Sequence, residues 1–198
     1  MMTKLSSFGL LILTLAALYF LQHSTPYYSD ILSPVAVAGM QGSAVKADRF
    51  ALGVGNAYRA RQLTTPGVSR ERSYSTQGEW LVIEAAAKAE IESLSLMSVA
   101  WLGPNGVRYR LTGRLSSVAG MIGSERLEPG IVRPVLIVFE LPADQIKGGR
   151  LLIAESALTP LSEELHITLD DDRLHDVHRS IEIARGDSVM AWQLEMTE

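Results

Sequence analysis

Three histidines and four aspartates crowd the stretch from His166 to His178, which ends in "DDDRLHDVH". Imidazole nitrogens and carboxylate oxygens are ligands of divalent ions, so His175, His178 and Asp172 are the candidate metal ligands. On a strand, His175 and His178 would point to opposite faces; only a turn would let them converge. The EF-hand pattern is absent, because its glycine and distal glutamate are missing. A solvated acidic turn explains the same residues. A secreted or anchored metal-binding protein or hydrolase using residues 166–178 is therefore the alternative reading of function.

Other patterns carry less chemistry. Gly53-Val54-Gly55 lacks the third glycine and the following helix of a dinucleotide loop. No Gly-x-Ser-x-Gly occurs, so no serine has a nucleophile elbow. Glu84 and Glu90 read as one solvated strand face with Lys88 and Glu92 near them. Arg185-Gly186-Asp187-Ser188 matches an adhesion tripeptide, but Gly-Asp is also what a tight hairpin turn requires. The sequence points to no enzyme and no cofactor.

A different group of residues fits partner binding. Trp80, Trp101, Tyr109, Arg108, Arg110 and Arg114 come from neighbouring segments, and arginine and aromatic residues are enriched at interfaces. Arginine outnumbers lysine 14 to 4, which favours planar ion-pair contacts. Arg108, Arg110, Arg114 and Tyr109 are the candidate partner-binding residues; Trp80 and Trp101 read as core.

The totals narrow the classes. The 198 residues are 47% hydrophobic and 20% charged, enough for a leader and one folded domain. Residues 1–154 carry 15 Lys+Arg against 11 Asp+Glu, or +4; residues 155–198 carry 3 against 11, or -8. The acidic end repels phosphate backbones and argues against nucleic acid. With no cysteine, the chain forms no disulfide, zinc-thiolate site or lipid-bearing Cys.

Leu5–Leu21 carries no charge, and at 1.5 Å per residue it would span about 26 Å, the short end of a membrane crossing. Lys4 precedes it and no Lys or Arg follows until Lys46, which predicts a cytoplasmic N-terminus and an outward-facing remainder. "QHSTPYY" follows the run instead of small residues, and the first Ala-x-Ala after it is Ala36-Val37-Ala38. A retained single-pass anchor over residues 1–22 is therefore favoured over a cleaved leader, with Tyr19, Tyr27 and Tyr28 at the interface. Residues 23–45, with two Pro and two Gly, read as a linker, although "ILSPVAVAG" is apolar enough to pack on something.

Beyond residue 46 the pattern is β. In "RPVLIVFEL", Val135, Ile137, Phe139 and Leu141 share one face, between Pro129-Gly130 and Pro142. Pro134 donates no ladder hydrogen bond, so this strand belongs at an edge or begins there. "EWLVIEAAAKAE" alternates in the same way despite its alanines. "LSLMSVAWLGPNGVRYRLTG" predicts a hairpin about Gly103–Gly106. "ELHITLD" turns Leu165, Ile167 and Leu169 inward, with His166 and Thr168 outward. Residues 177–196 predict a hairpin about 185–188, with Ile181, Ile183, Met190, Trp192, Leu194 and Met196 facing in. Seven to nine short strands without an amphipathic helix predict an all-β, immunoglobulin-like antiparallel β-sandwich over residues 46–198.

The order of these pieces resembles bacterial envelope proteins with a telokin-like, immunoglobulin-type domain of unknown function. The resemblance rests on "DRFALGV", "YRARQL", "TQGEWLVIEA", "LSLMSVAWLGPNGVRYR", and Leu127, Pro129, Gly130, Phe139, Glu140, Leu141 and Pro142. It covers roughly residues 46–170. Its motifs are turn and strand signatures, so it implies a fold and an outward location, not a reaction. The chain departs from it in lacking a lipid-bearing Cys and in its acidic hairpin, residues 171–198. The leading expectation is a membrane-anchored, outward-facing, non-enzymatic interaction domain. It would serve as an accessory subunit of an envelope protein complex and contact both the membrane, through Leu5–Leu21, and a protein partner.

Overall fold

The computed structural model describes residues 2–24, 33–66, 71–115, 118–156, 162–187 and 190–197, with side chains of the first helix described from residue 9 onward. Tyr27, Tyr28 and Ser188 lie outside these. The chain divides into two units, residues 1–33 and 34–198.

The first unit holds α1 (Met2–Ser24). Leu10, Leu13, Leu18 and Phe20 are exposed on it. Among the described residues no helix is long and apolar enough to cross a membrane. This corrects the expected span. Ser6, Ser7 and Gly9 dilute the start of the run and Gln22, His23 and Ser24 close it. The strongly apolar part, Leu10 to Leu21, covers only about 18 Å of a hydrocarbon core of about 30 Å.

The second unit is built of strands β1 (Val35–Met40), β2 (Ala44–Lys46), β3 (Phe50–Thr65), β4 (Arg72–Ala89), β5 (Ser98–Leu102), β6 (Arg108–Arg110), β7 (Arg133–Leu141), β8 (Arg150–Ala154), β9 (Glu163–Thr168), β10 (Val177–His178), β11 (Ser180–Arg185) and β12 (Trp192–Thr197). One sheet has the order β1-β9-β8-β5-β6. The other runs β12-β11-β3-β4-β7, with β2 and β10 also paired to β3. The domain is a β-sandwich, but not wholly antiparallel: β1 runs parallel to β9, and β10 and β11 run parallel to β3. β1 and β2 fall inside the expected linker. Val35, Ala36 and Val37 supply the alternation of a strand, and Val37 packs on the core.

The period-two pattern fixes which faces meet. Leu81, Ile83, Val135, Ile137 and Phe139 of one sheet pack against Val99, Trp101, Leu151, Ile153, Leu165 and Ile167 of the other. Trp101 is fully buried, its Nε1 donating to the Gln145 carbonyl at 2.8 Å. At one end Arg59 closes the layer. It pairs with Glu79 at 2.6 Å and donates to the Leu174 carbonyl at 2.8 Å, tying down the turn Asp171–Leu174.

The other faces of β4 and β7 are buried as well. Trp80, Val82, Leu136 and Val138 join Leu63, Leu115, Met121, Ile181, Ile183 and Trp192 in a second core on the outside of the larger sheet. This is why residues 134–139 read as an unbroken apolar run. β7 is the last strand of its sheet, as Pro134 required, and its free edge is covered: Thr112 N donates to Val138 O at 3.1 Å and Leu136 N to Gly120 O at 2.7 Å. Gly120 has φ +81°, and a Cβ there would meet the Trp192 ring at 2.1 Å. The inward face of β12 fades toward its end: Trp192 is buried and Met196 is 40% exposed, against expectation.

Candidate partner-binding face

The outer face of the five-stranded sheet is not bare. Residues directly opposite one another on neighbouring strands share a face. The register therefore lines up Met40, Thr168, Arg150, Leu102 and Arg108 in one row, and Ala38, His166, Leu152, Ala100 and Arg110 in the next. Three arginines thus stand on a bed of small and aliphatic side chains.

Glu164 anchors this face. It is 3% exposed, and Arg108 donates to both of its carboxylate oxygens, at 3.2 and 3.3 Å. His166 Nε2 donates to the same carboxylate at 2.8 Å. Arg108 sits on the edge strand and Glu164 three strands away, so the guanidinium reaches diagonally over Ala100 and Leu152. Leu152, in the middle of this face, is completely buried. A carboxylate this buried needs such partners, because an unpaired charge is costly to desolvate.

Arg110 and Arg150 differ. Both are exposed, and neither meets a carboxylate among the described residues. β6 pairs with β5 only over Ala100–Leu102, then leaves the sheet, where Thr112 bonds to β7. The gap is a groove of about 570 Å³ lined by Met97, Ser98, Val99, Ala100, Arg108, Arg110 and Leu111. The face is basic, with one neutralised carboxylate.

The four expected partner-binding residues therefore separate. Arg108 and Arg110 lie together on this face. Tyr109 alternates with them and turns inward against the main core. Arg114 belongs to the other sheet, where its guanidinium stacks 5.3 Å from both the Tyr74 and Trp80 rings and bonds the Ser75 carbonyl at 3.1 Å. Glu164, His166, Arg150 and Leu152 were missed. His166 was read as outward, but nothing in the sequence pairs β9 with Arg108.

The expected metal ligands do not converge. Lys147 Nζ lies 3.0 Å from His175 Nδ1, so a cation occupies the place of an ion. Asp172 meets His175 Nε2 at 3.6 Å. Asp170 caps the Asp172 N–H and pairs with Arg173, and Asp171 accepts the Gly148 N–H. His178 lies apart, its ring 6.4 Å from Tyr58. Among the described residues no three His, Asp or Glu side chains are placed to share a metal ion. The acidic stretch is a capped turn.

No family model matches the chain, and no curated protein matches it. Solved structures do. The yjhA protein from Bacillus subtilis aligns with a TM-score of 0.50 at 16% identity, over 67% of this chain and 99% of that one. An uncharacterized β-sandwich protein from Clostridium difficile 630 gives 0.44 at 11% identity, over 72% and 98%. A conserved hypothetical protein from Bacillus anthracis gives 0.44 at 15%, over 59% and 88%. The first likeness shows a shared β-sandwich fold and leaves chemistry to the side chains.

Proposed function

We propose that this chain is a non-catalytic, outward-facing interaction domain of the cell envelope, an accessory subunit that binds an acidic protein surface through the outer face of its five-stranded sheet. The observation that carries the reading is the pair of exposed guanidinium groups, Arg110 and Arg150, which meet no carboxylate among the described residues, beside an Arg108 already fixed by Glu164. A preorganised basic face steers an acidic partner and sets its register. The outward location rests on the resemblance to telokin-like envelope domains. The apolar run of α1 behind Lys4 fits an export leader, which needs a shorter apolar stretch than a spanning anchor.

The test is crosslinking in the native cell, followed by purification of the full chain in mild detergent. A stoichiometric partner should appear, and should be lost from the double variant Arg110→Glu, Arg150→Glu. Exposed arginines tolerate that change, so the melting temperature should stay within about 2 °C. Without the crosslinker, capture should weaken as salt rises through 0.5 M, where the Debye length is only a few ångströms. Equal capture by the double variant, or no partner at all, would overturn the reading.

A further inference from the structure

A separate groove lies on the outer face of the larger sheet. The ladder between β3 and β4 is broken there: Val54 pairs with Ala85 and Ala57 with Ile83, leaving Gly55 and Asn56 together opposite Glu84. Such a bulge bends the strand and re-aims side chains. Here it opens a cavity of about 390 Å³ whose lining includes Ala44, Gly53, Ala86, Pro134 and Met190, with Glu84 and Asn56 as its polar part. A second cavity, of about 270 Å³, meets it at Asn56, and its lining includes Tyr58, Arg173, Asp176 and His178.

Glu84 is partly buried and is held only by neutral groups. Trp192 Nε1 donates to one carboxylate oxygen at 3.3 Å and Asn56 Nδ2 to the other at 3.2 Å. Among the described residues no Lys, Arg or His pairs with it. The neighbouring Tyr58 phenol is pushed above its ordinary value, first by burial, then by the charge of Glu84 and by its hydrogen bond to that carboxylate. The phenol keeps its proton and brings no positive charge to the site.

We propose that this groove binds a primary ammonium carried on an unbranched aliphatic stem. An ammonium is a point charge with three donors, and the carboxylate keeps lone pairs beyond the bonds it accepts from Trp192, Asn56 and Tyr58. A guanidinium is best matched by two oxygens presented to it as a fork, and here both are already turned toward Trp192 and Asn56. A hard divalent ion would need several more oxygen ligands than the one carboxylate here. The Gly53 and Ala86 floor is flat and apolar enough to take the methylenes. The same chemistry is offered by a free alkylamine and by a lysine side chain.

The full-length protein would be titrated with n-butylamine and, separately, with acetyl-Gly-Lys-Gly-amide, following the Trp192 Nε1–H resonance and the heat of binding. Saturable binding of at least one probe is expected, with n-butanol inert. Glu84→Gln, which keeps the shape, should weaken it tenfold or more. Ala86→Leu, which fills the slot without touching the carboxylate, should do the same. Tighter binding of the peptide would assign the site to a lysine side chain, and tighter binding of the amine to a free metabolite. If neither probe saturates, or if Glu84→Gln binds as the native chain does, Glu84 is a structural hydrogen-bond acceptor only and the proposal fails.

Discussion

Arg108 on β6 places two nitrogens on the two oxygens of Glu164 on β9, across the breadth of the smaller sheet. Arg108 is half-exposed, with 55% of its side chain accessible, while the Glu164 side chain is 5% accessible. The pair is therefore asymmetric. Removing the guanidinium leaves a buried charge, whereas removing the carboxylate leaves a solvated one.

Arg108→Ala should cost about 2 kcal/mol, below the range for breaking a fully buried pair because the guanidinium is half in water. Glu164→Gln should cost less. The double change Arg108→Met, Glu164→Leu should recover most of the loss. Denaturant melts of the four proteins check this; a double variant less stable than Arg108→Ala would refute the asymmetry.

Gly149→Ala should destabilise by about 1–3 kcal/mol through overpacking. An added Cβ would lie 2.5 Å from the Trp101 ring, which is itself fixed by its bond to Gln145. The near-ultraviolet dichroism of Trp101 should change in parallel with the melting temperature.

Trp192→Ala should cost about 3–5 kcal/mol, because it empties the centre of the second core. Trp192→Phe keeps most of the packing and loses only the indole bond to Glu84. Its cost should be about 1–2 kcal/mol by equilibrium unfolding.

Two groups set the limits of pH stability. Tyr58 is raised from 10.0, so folding favours its protonated form. Its contribution is complete below pH 10 and is lost as pH climbs through the higher folded value. Tyr58→Phe should therefore flatten the alkaline limb. Glu90 is lowered from 4.5 by bonds from Lys88 and then Lys46. Its contribution is present above pH 4.5 and disappears as pH falls through the lower folded value. Glu90→Gln should flatten the acid limb. Unfolding free energies from pH 3 to 11 check both.

Residues that alternate with period two were legible in the sequence, because a register slip of one residue would flip every side chain to the wrong face. Leu81, Ile83, Val135, Ile137, Phe139, Leu165 and Ile167 were placed correctly on that ground. The second core was hidden, since Val82 and Val138 look the same whether they face solvent or a covering loop. β1 was taken as linker because a parallel edge strand lacks a hairpin turn to announce it. Tyr109 was misplaced for want of its partner strand, although its alternation with Arg108 and Arg110 was visible. The Glu84 groove depends on a bulge, and Gly55-Asn56 opposite Glu84 is a matter of register that no local pattern carries.

The parallel pairings constrain how the chain reaches its native state. Val37 pairs with Leu165, a separation of 165 − 37 = 128 residues, and Leu63 pairs with Ile181, 181 − 63 = 118 residues away. Trp192 then closes the second core from near the chain's end. Contacts this distant are slow to form, because loop closure must precede any gain from burial. The domain cannot be completed before β9 and β11 have been made, so β1 and β3 wait with those edges open.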